Sequence, residues 1–196
     1  MHTKNFSGLR FWLAIAFSCA ILLGLSACTV NVKKDQYGKD KKVDIDTPLG
    51  GIHVSKNADV RDTGLTVYPG AKLKEKEEDG EGKSANVNIS SGSFRLKVVA
   101  VEYESGDAPE KVVTYYKNEL KKYGNVLECH TSKYNNVQTK YGDDDSDELK
   151  CEDSSGKNIE LKAGRKDNQH IVSIEPRDKG AKFALVLVQT HGKDTI

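Results

Sequence analysis

The chain has 196 residues, with 30 basic against 29 acidic ones and a formal net charge of +1. That balance excludes the broad positive field of a nucleic-acid binder, and the length suits one domain, or two small ones. Charged residues make up 30% of the chain, yet apolar residues recur at strand and helix periods in several segments, which excludes wholesale disorder.

The first 28 residues fall into three parts. Lys4 and Arg10 supply a positive start, and no acidic residue precedes Cys28. Phe11 to Leu25 is an uncharged apolar run, and Ser26, Ala27 and Cys28 follow it. This is the layout of a secretory signal, and the run is shorter than the roughly 20 residues of a spanning helix. Residues 1–27 are therefore expected to be a signal peptide, and Cys19 would leave with it. The stretch Leu25-Ser26-Ala27-Cys28 resembles the lipobox of bacterial lipoproteins. The resemblance implies cleavage before Cys28 and attachment of a diacylglyceryl group to its sulfur, usually with an N-acyl chain such as palmitate. The membrane is then a partner through lipid on Cys28. Thr29 follows, with no aspartate there, which by the same resemblance favours the outer membrane, facing the periplasm. Ordinary signal cleavage near Ala27 and an uncleaved anchor are the alternatives.

Residues Thr29 to Lys42 are polar and lysine-rich and read as a solvated tether. The division expected is a signal peptide over 1–27, lipidated cysteine and flexible tether over 28–42, and a single α+β domain over 43–196. Val43 and Ile45, then Ile52 and Val54, alternate with polar residues around Pro48, Gly50 and Gly51, which predicts a β-hairpin with His53 on its polar face. Leu65 to Tyr68 reads as a short strand ended by a type II turn at Tyr68-Pro69-Gly70-Ala71. The following KLKEKEEDGEGK reads as a charged, solvated loop. Strands are predicted over 85–89 and 94–103, the second apolar on both faces near Val98 to Val101 and central in the sheet.

Helical spacing of Val112, Val113, Tyr116, Leu120 and Tyr123 predicts a long amphipathic helix over 108–123. Asp107 is its expected N-cap, with Glu110 completing a capping box, and Gly124 is the stop. Asn125 to His130 returns as a strand. Gly142 to Glu148 is acidic, but counting from Asp143 puts Glu148 and Asp153 where a calcium loop needs glycine and glutamate. It reads as a solvated loop, so no metal or other cofactor is expected. Strands follow over 158–163, 170–175 and 183–188, the last two joined as a hairpin through Asp178-Lys179-Gly180.

Cys129 and Cys151 remain on the exported side besides Cys28. Without a C-x-x-C spacing they are expected to form a structural disulfide rather than a metal or redox pair. The fold class this order predicts is α+β, a mostly antiparallel sheet with one long amphipathic helix on one face. The chain also resembles a group of uncharacterised bacterial lipoproteins. The residues that carry this are Thr47-Pro48-Leu49-Gly50-Gly51, Val67-Tyr68-Pro69-Gly70-Ala71, and the helix residues Pro109 to Val113, Tyr115-Tyr116 and Glu119-Leu120, closing on Tyr123-Gly124. The resemblance implies a strand leading into a helix packed on a sheet, and no catalytic residue comes with it.

No G-x-S-x-G elbow, H-E-x-x-H or glycine-rich phosphate loop occurs in the sequence. The function expected is a membrane-anchored envelope lipoprotein, a non-catalytic binding or structural module with an envelope protein or cell-wall partner. The alternative is an envelope hydrolase whose site is assembled from dispersed carboxylates and His53, His130, His170 and His191.

Overall fold

Alternating apolar and polar residues, punctuated by Gly, Pro and Asp turns, give this chain its strands. In the computed structural model the described residues are 28–34, 40–74, 84–132, 147–151 and 156–192. The expected signal peptide over 1–27 lies outside them, as do 75–83 of the charged loop and 142–146 of the acidic one.

The strands are β1 (Thr29–Lys34), β2 (Asp40–Thr47), β3 (Gly50–Ser55), β4 (Lys72–Leu73), β5 (Ser84–Ser91), β6 (Phe94–Ser105), β7 (Leu127–Thr131), β8 (Asn158–Arg165), β9 (Asn168–Pro176) and β10 (Ala181–His191). They form one antiparallel sheet in the order β1-β2-β3-β5-β6-β10-β9-β8-β7, and β4 pairs with β6 beyond the end of β5. The mostly antiparallel α+β architecture is as expected. The hairpin over 43–54 is β2–β3, in register from Lys42↔Ser55 to Thr47↔Gly50. The last hairpin turns at Gly180, which adopts φ +93° and accepts a hydrogen bond from the Arg177 amide at 3.0 Å.

Three expectations are corrected. The flexible tether over 28–42 does not hold for 29–34 and 40–42, which are strand. Val30 and Val32 alternate with Asn31 and Lys33 and pair with the same alternation in β2, a period hidden under a polar composition. The short strand over Leu65–Tyr68 is irregular backbone that follows a 3-10 turn at Val60–Thr63. Leu65 and Tyr68 are nonetheless buried, so these apolar residues answer to the helix above them and not to a strand neighbour. The helix α1 is short, 12 residues over Pro109–Leu120, and its last turn tightens to 3-10 over Lys121–Tyr123. Its N-cap is Ala108, with no side-chain cap. Asp107 is engaged elsewhere, by the Tyr68 hydroxyl at 2.9 Å and the Lys111 ammonium at 3.2 Å.

The two faces of the sheet reverse polarity from one side to the other. Val99, Val101 and Tyr103 on β6, Phe183, Leu185 and Leu187 on β10, Val172 and Ile174 on β9, and Leu161 on β8 are all buried. They belong to the face that α1 covers with Val112, Val113, Tyr116 and Leu120. Across β1, β2, β3 and β5 that face turns polar, as in the register row Asn31–Asp44–His53–Asn88–Lys97. The opposite face carries the apolar residues there. One row runs Val30–Ile45–Ile52–Ile89–Leu96, and the next runs Val32–Val43–Val54–Val87–Val98. Strand alternation places each row on one face, and no described helix packs on it.

Candidate functional site

Cys28 is exposed and stands one residue before β1. Thr29 pairs with Asp46, so Cys28 sits at the end of the sheet where β2 turns into β3 through Pro48 and Leu49. The β5–β6 turn joins the same end, where the Gly92 amide donates to the Leu49 carbonyl at 3.1 Å. Leu49 is 82% exposed, Val30 62% and Ile52 40%. An acyl-bearing cysteine there would be bordered by aliphatic side chains.

Cys129 and Cys151 lie at disulfide distance, Cα–Cα 5.4 Å, as the sequence predicts. Cys129 is buried and Cys151 exposed, so the bond ties the 147–151 segment to β7. Cys28 is the free cysteine among the described residues.

An open cleft of about 530 Å³ lies beside the start of α1, lined by Tyr68, Pro69, Asp107, Glu110, Lys111, Thr114 and Tyr115. Its volume falls within the range of small-molecule sites. Tyr68 and Tyr115 meet edge to face with ring centroids 5.2 Å apart, which suits the ring quadrupoles. The Tyr68 hydroxyl and the Lys111 ammonium hold the Asp107 carboxyl below its ordinary range, while burial and then Asp107 push the Tyr68 phenol up. Near neutral pH the pair is a fixed phenol-to-carboxylate hydrogen bond, with neither group poised to exchange its proton. The cleft offers two aromatic rings, one carboxylate and one ammonium for contact. The sequence signal for the cleft is the Tyr-Pro-Gly turn, before which Tyr68 reaches back to Asp107 at the start of the helix.

The four histidines stand at separate places. His53, on β3, donates from Nδ1 to Asp44 at 3.0 Å, with Asp46 3.5 Å from its other nitrogen. His130, on β7, lies 3.6 Å from Glu128, and His191 is exposed at the end of β10. His170 is buried under Tyr123, ring on ring at 3.4 Å, and donates from Nδ1 to the Thr63 carbonyl at 2.9 Å. Burial lowers its pKa, so it is neutral at pH 7 and serves packing. No two of the four meet at a common carboxylate. Among the described residues no cluster of three or more His, Cys, Asp or Glu could hold a metal ion, and no helix is long and apolar enough to cross a membrane.

Comparisons with protein-family models, with curated proteins and with solved structures find no match for this chain.

Proposed function

We propose that this chain is a lipoprotein of the bacterial cell envelope, held on a membrane by lipid on Cys28, and that its α+β domain is a non-catalytic binding or structural module. The observation that carries the reading is the position of Cys28: exposed, unpaired, directly after a signal-like segment and directly before the first strand. Pairing of Cys129 with Cys151 leaves Cys28 as the sulfur available to lipid. The absence of aspartate after Cys28 supports the outer membrane with the domain in the periplasm. An envelope protein or cell-wall component is the partner, and the Tyr68–Tyr115 cleft is the concave surface suited to receive it. The separate settings of the histidines favour this reading over the envelope-hydrolase alternative.

The test is the mass of the mature N-terminal peptide after expression of the full chain in a bacterial host. A peptide beginning at Cys28 and heavier by a diacylglyceryl group supports the reading. An unmodified Cys28, or a chain that still begins at Met1, sinks it. Crosslinking from a reporter placed at Thr114 then identifies what the cleft engages.

A further inference from the structure

We infer that the open apolar face beside Cys28 seats on the lipid surface itself, so that the sheet lies against the bilayer instead of being tethered at a distance. This rests on the lipidation of Cys28 proposed above. The physical constraint is chain length. Adjacent Cα atoms are about 3.8 Å apart, and Cys28 precedes β1 by a single peptide bond. Val30, two residues on, can therefore be no more than about 7 Å from the lipidated residue along the chain. A spacer that would let the domain float free is not there, because the residues expected to supply it are strands β1 and β2. The anchored end of the sheet is consequently held in the headgroup region.

What that end presents fits an apolar surface. Four of the exposed large apolar side chains stand at the anchored end and on the edge strand: Leu49 at 82%, Val30 at 62%, Val32 at 42% and Ile52 at 40%. Ile45 pairs with both Val30 and Ile52 and makes the patch continuous. A contiguous apolar patch of this kind marks an interaction surface, and the apolar face of an interfacial helix, the nearest analogue, buries about 5–10 Å into the headgroup and acyl boundary. The two longest stretches outside the described residues after Cys28 are polar and make poor covers for this face: 75–83 reads EKEEDGEGK and 133–146 reads KYNNVQTKYGDDDS. A second copy would have to meet this face across the lipid on Cys28 at its border. The bilayer already stands there.

The chain has a single tryptophan, Trp12, which precedes Cys28, so Leu49→Trp places the sole tryptophan of the cleaved protein at the tip of the patch. The acylated full-length product is reconstituted in phosphatidylethanolamine–phosphatidylglycerol vesicles, with and without phospholipid brominated in the upper acyl chain. The expected result is blue-shifted emission with roughly twofold quenching by bromolipid, as for a side chain at the acyl boundary. Thr114→Trp on α1 should stay unquenched, and Val30→Trp serves as a second reporter if Leu49→Trp misfolds. Acylated protein whose Leu49→Trp and Val30→Trp emission is untouched by bromolipid overturns the inference and leaves the anchor standing. Emission that is blue-shifted yet unquenched overturns it in favour of a second copy on the face. A mass showing no lipid on Cys28 overturns the anchor and this inference together.

Discussion

The hydroxyl of Tyr116 accepts the backbone amide of Tyr68 at 3.0 Å and donates to the carbonyl of Thr66 at 3.1 Å. One buried phenol thereby satisfies two groups of an irregular segment that has no strand partner, and it binds that segment to α1. Burial pushes its pKa far up, so it remains a donor throughout the working pH range. Tyr116→Phe removes one oxygen and leaves the Tyr68 amide and the Thr66 carbonyl without it. The buried Tyr68 amide left unpaired costs about 1–3 kcal/mol, and the expected outcome is a lower urea midpoint at an unchanged slope. Tyr115→Phe, which loses only an exposed contact to the Thr66 hydroxyl, should move the midpoint far less. Equal effects from the two variants would refute the latch.

Gly180 closes the β9–β10 hairpin at φ +93°, and a Cβ added there would lie 2.0 Å from the Ser105 carbonyl oxygen. The strained φ and the backbone clash act together, so Gly180→Ala should destabilise by more than about 1 kcal/mol. Gly106, one residue from the same carbonyl, has open space around its Cβ position. Gly106→Ala should be neutral or stabilising by up to about 1 kcal/mol. Thermal melts of the two variants check the contrast.

The strands and the helix were legible because their apolar periods are strong and their neighbours lie close in sequence. The β2–β3 hairpin and the β9–β10 hairpin follow from alternation and turn residues alone. What sequence reasoning missed depends on contacts far apart in the chain. Asp107 looks like an N-cap until Tyr68, 39 residues away, takes its carboxylate. The Leu65–Tyr68 run looks like a strand until Tyr116 supplies its hydrogen bonds from 48 and 50 residues away. Residues 29–34 look like a tether because Asn31, Lys33 and Lys34 dominate their composition, while the period of two in Val30 and Val32 spans only four residues. Of the candidate site, the Cys129–Cys151 pair was legible. The open apolar face was not, because polarity reversal across a sheet appears only when strand order and register are known.

The Cys129–Cys151 bond joins residues 22 apart in sequence and fixes the 147–151 segment against β7. In the loop-entropy account a ring of that size contributes about 3 kcal/mol by restricting the unfolded chain. Reduction, or Cys151→Ser, should lower the unfolding midpoint accordingly. Cys129→Ser should cost more, since it places a hydroxyl at a site only 2% exposed. Thiol labelling of unreduced, unfolded protein checks the pairing: Cys129 and Cys151 stay unreacted. Full reaction of both would refute it.

His170 gives the fold a pH dependence whose sign can be worked out. Burial holds the folded-state pKa below its ordinary 6.5, the nearby Lys122 lowers it further, and the Thr63 carbonyl opposes them. The unfolded chain therefore binds a proton at a pH where the folded chain still does not. Stability from this group is fully present above about pH 6.5 and is lost as pH falls from there through the folded pKa. The depressed carboxylates act in a separate, more acidic window. Arg61 holds Asp59 down to about 2, and Lys42 and Lys122 lower Asp44 and Glu119. The midpoint of urea unfolding should thus begin to fall between pH 7 and 5, before the carboxylates protonate. His170→Phe keeps a ring against Tyr123 but cannot take up the proton or donate to Thr63. That variant should be less stable at pH 7 and show a flatter profile between pH 7 and 5. A profile as steep as the parent's would place the transition on another group and refute the assignment to His170.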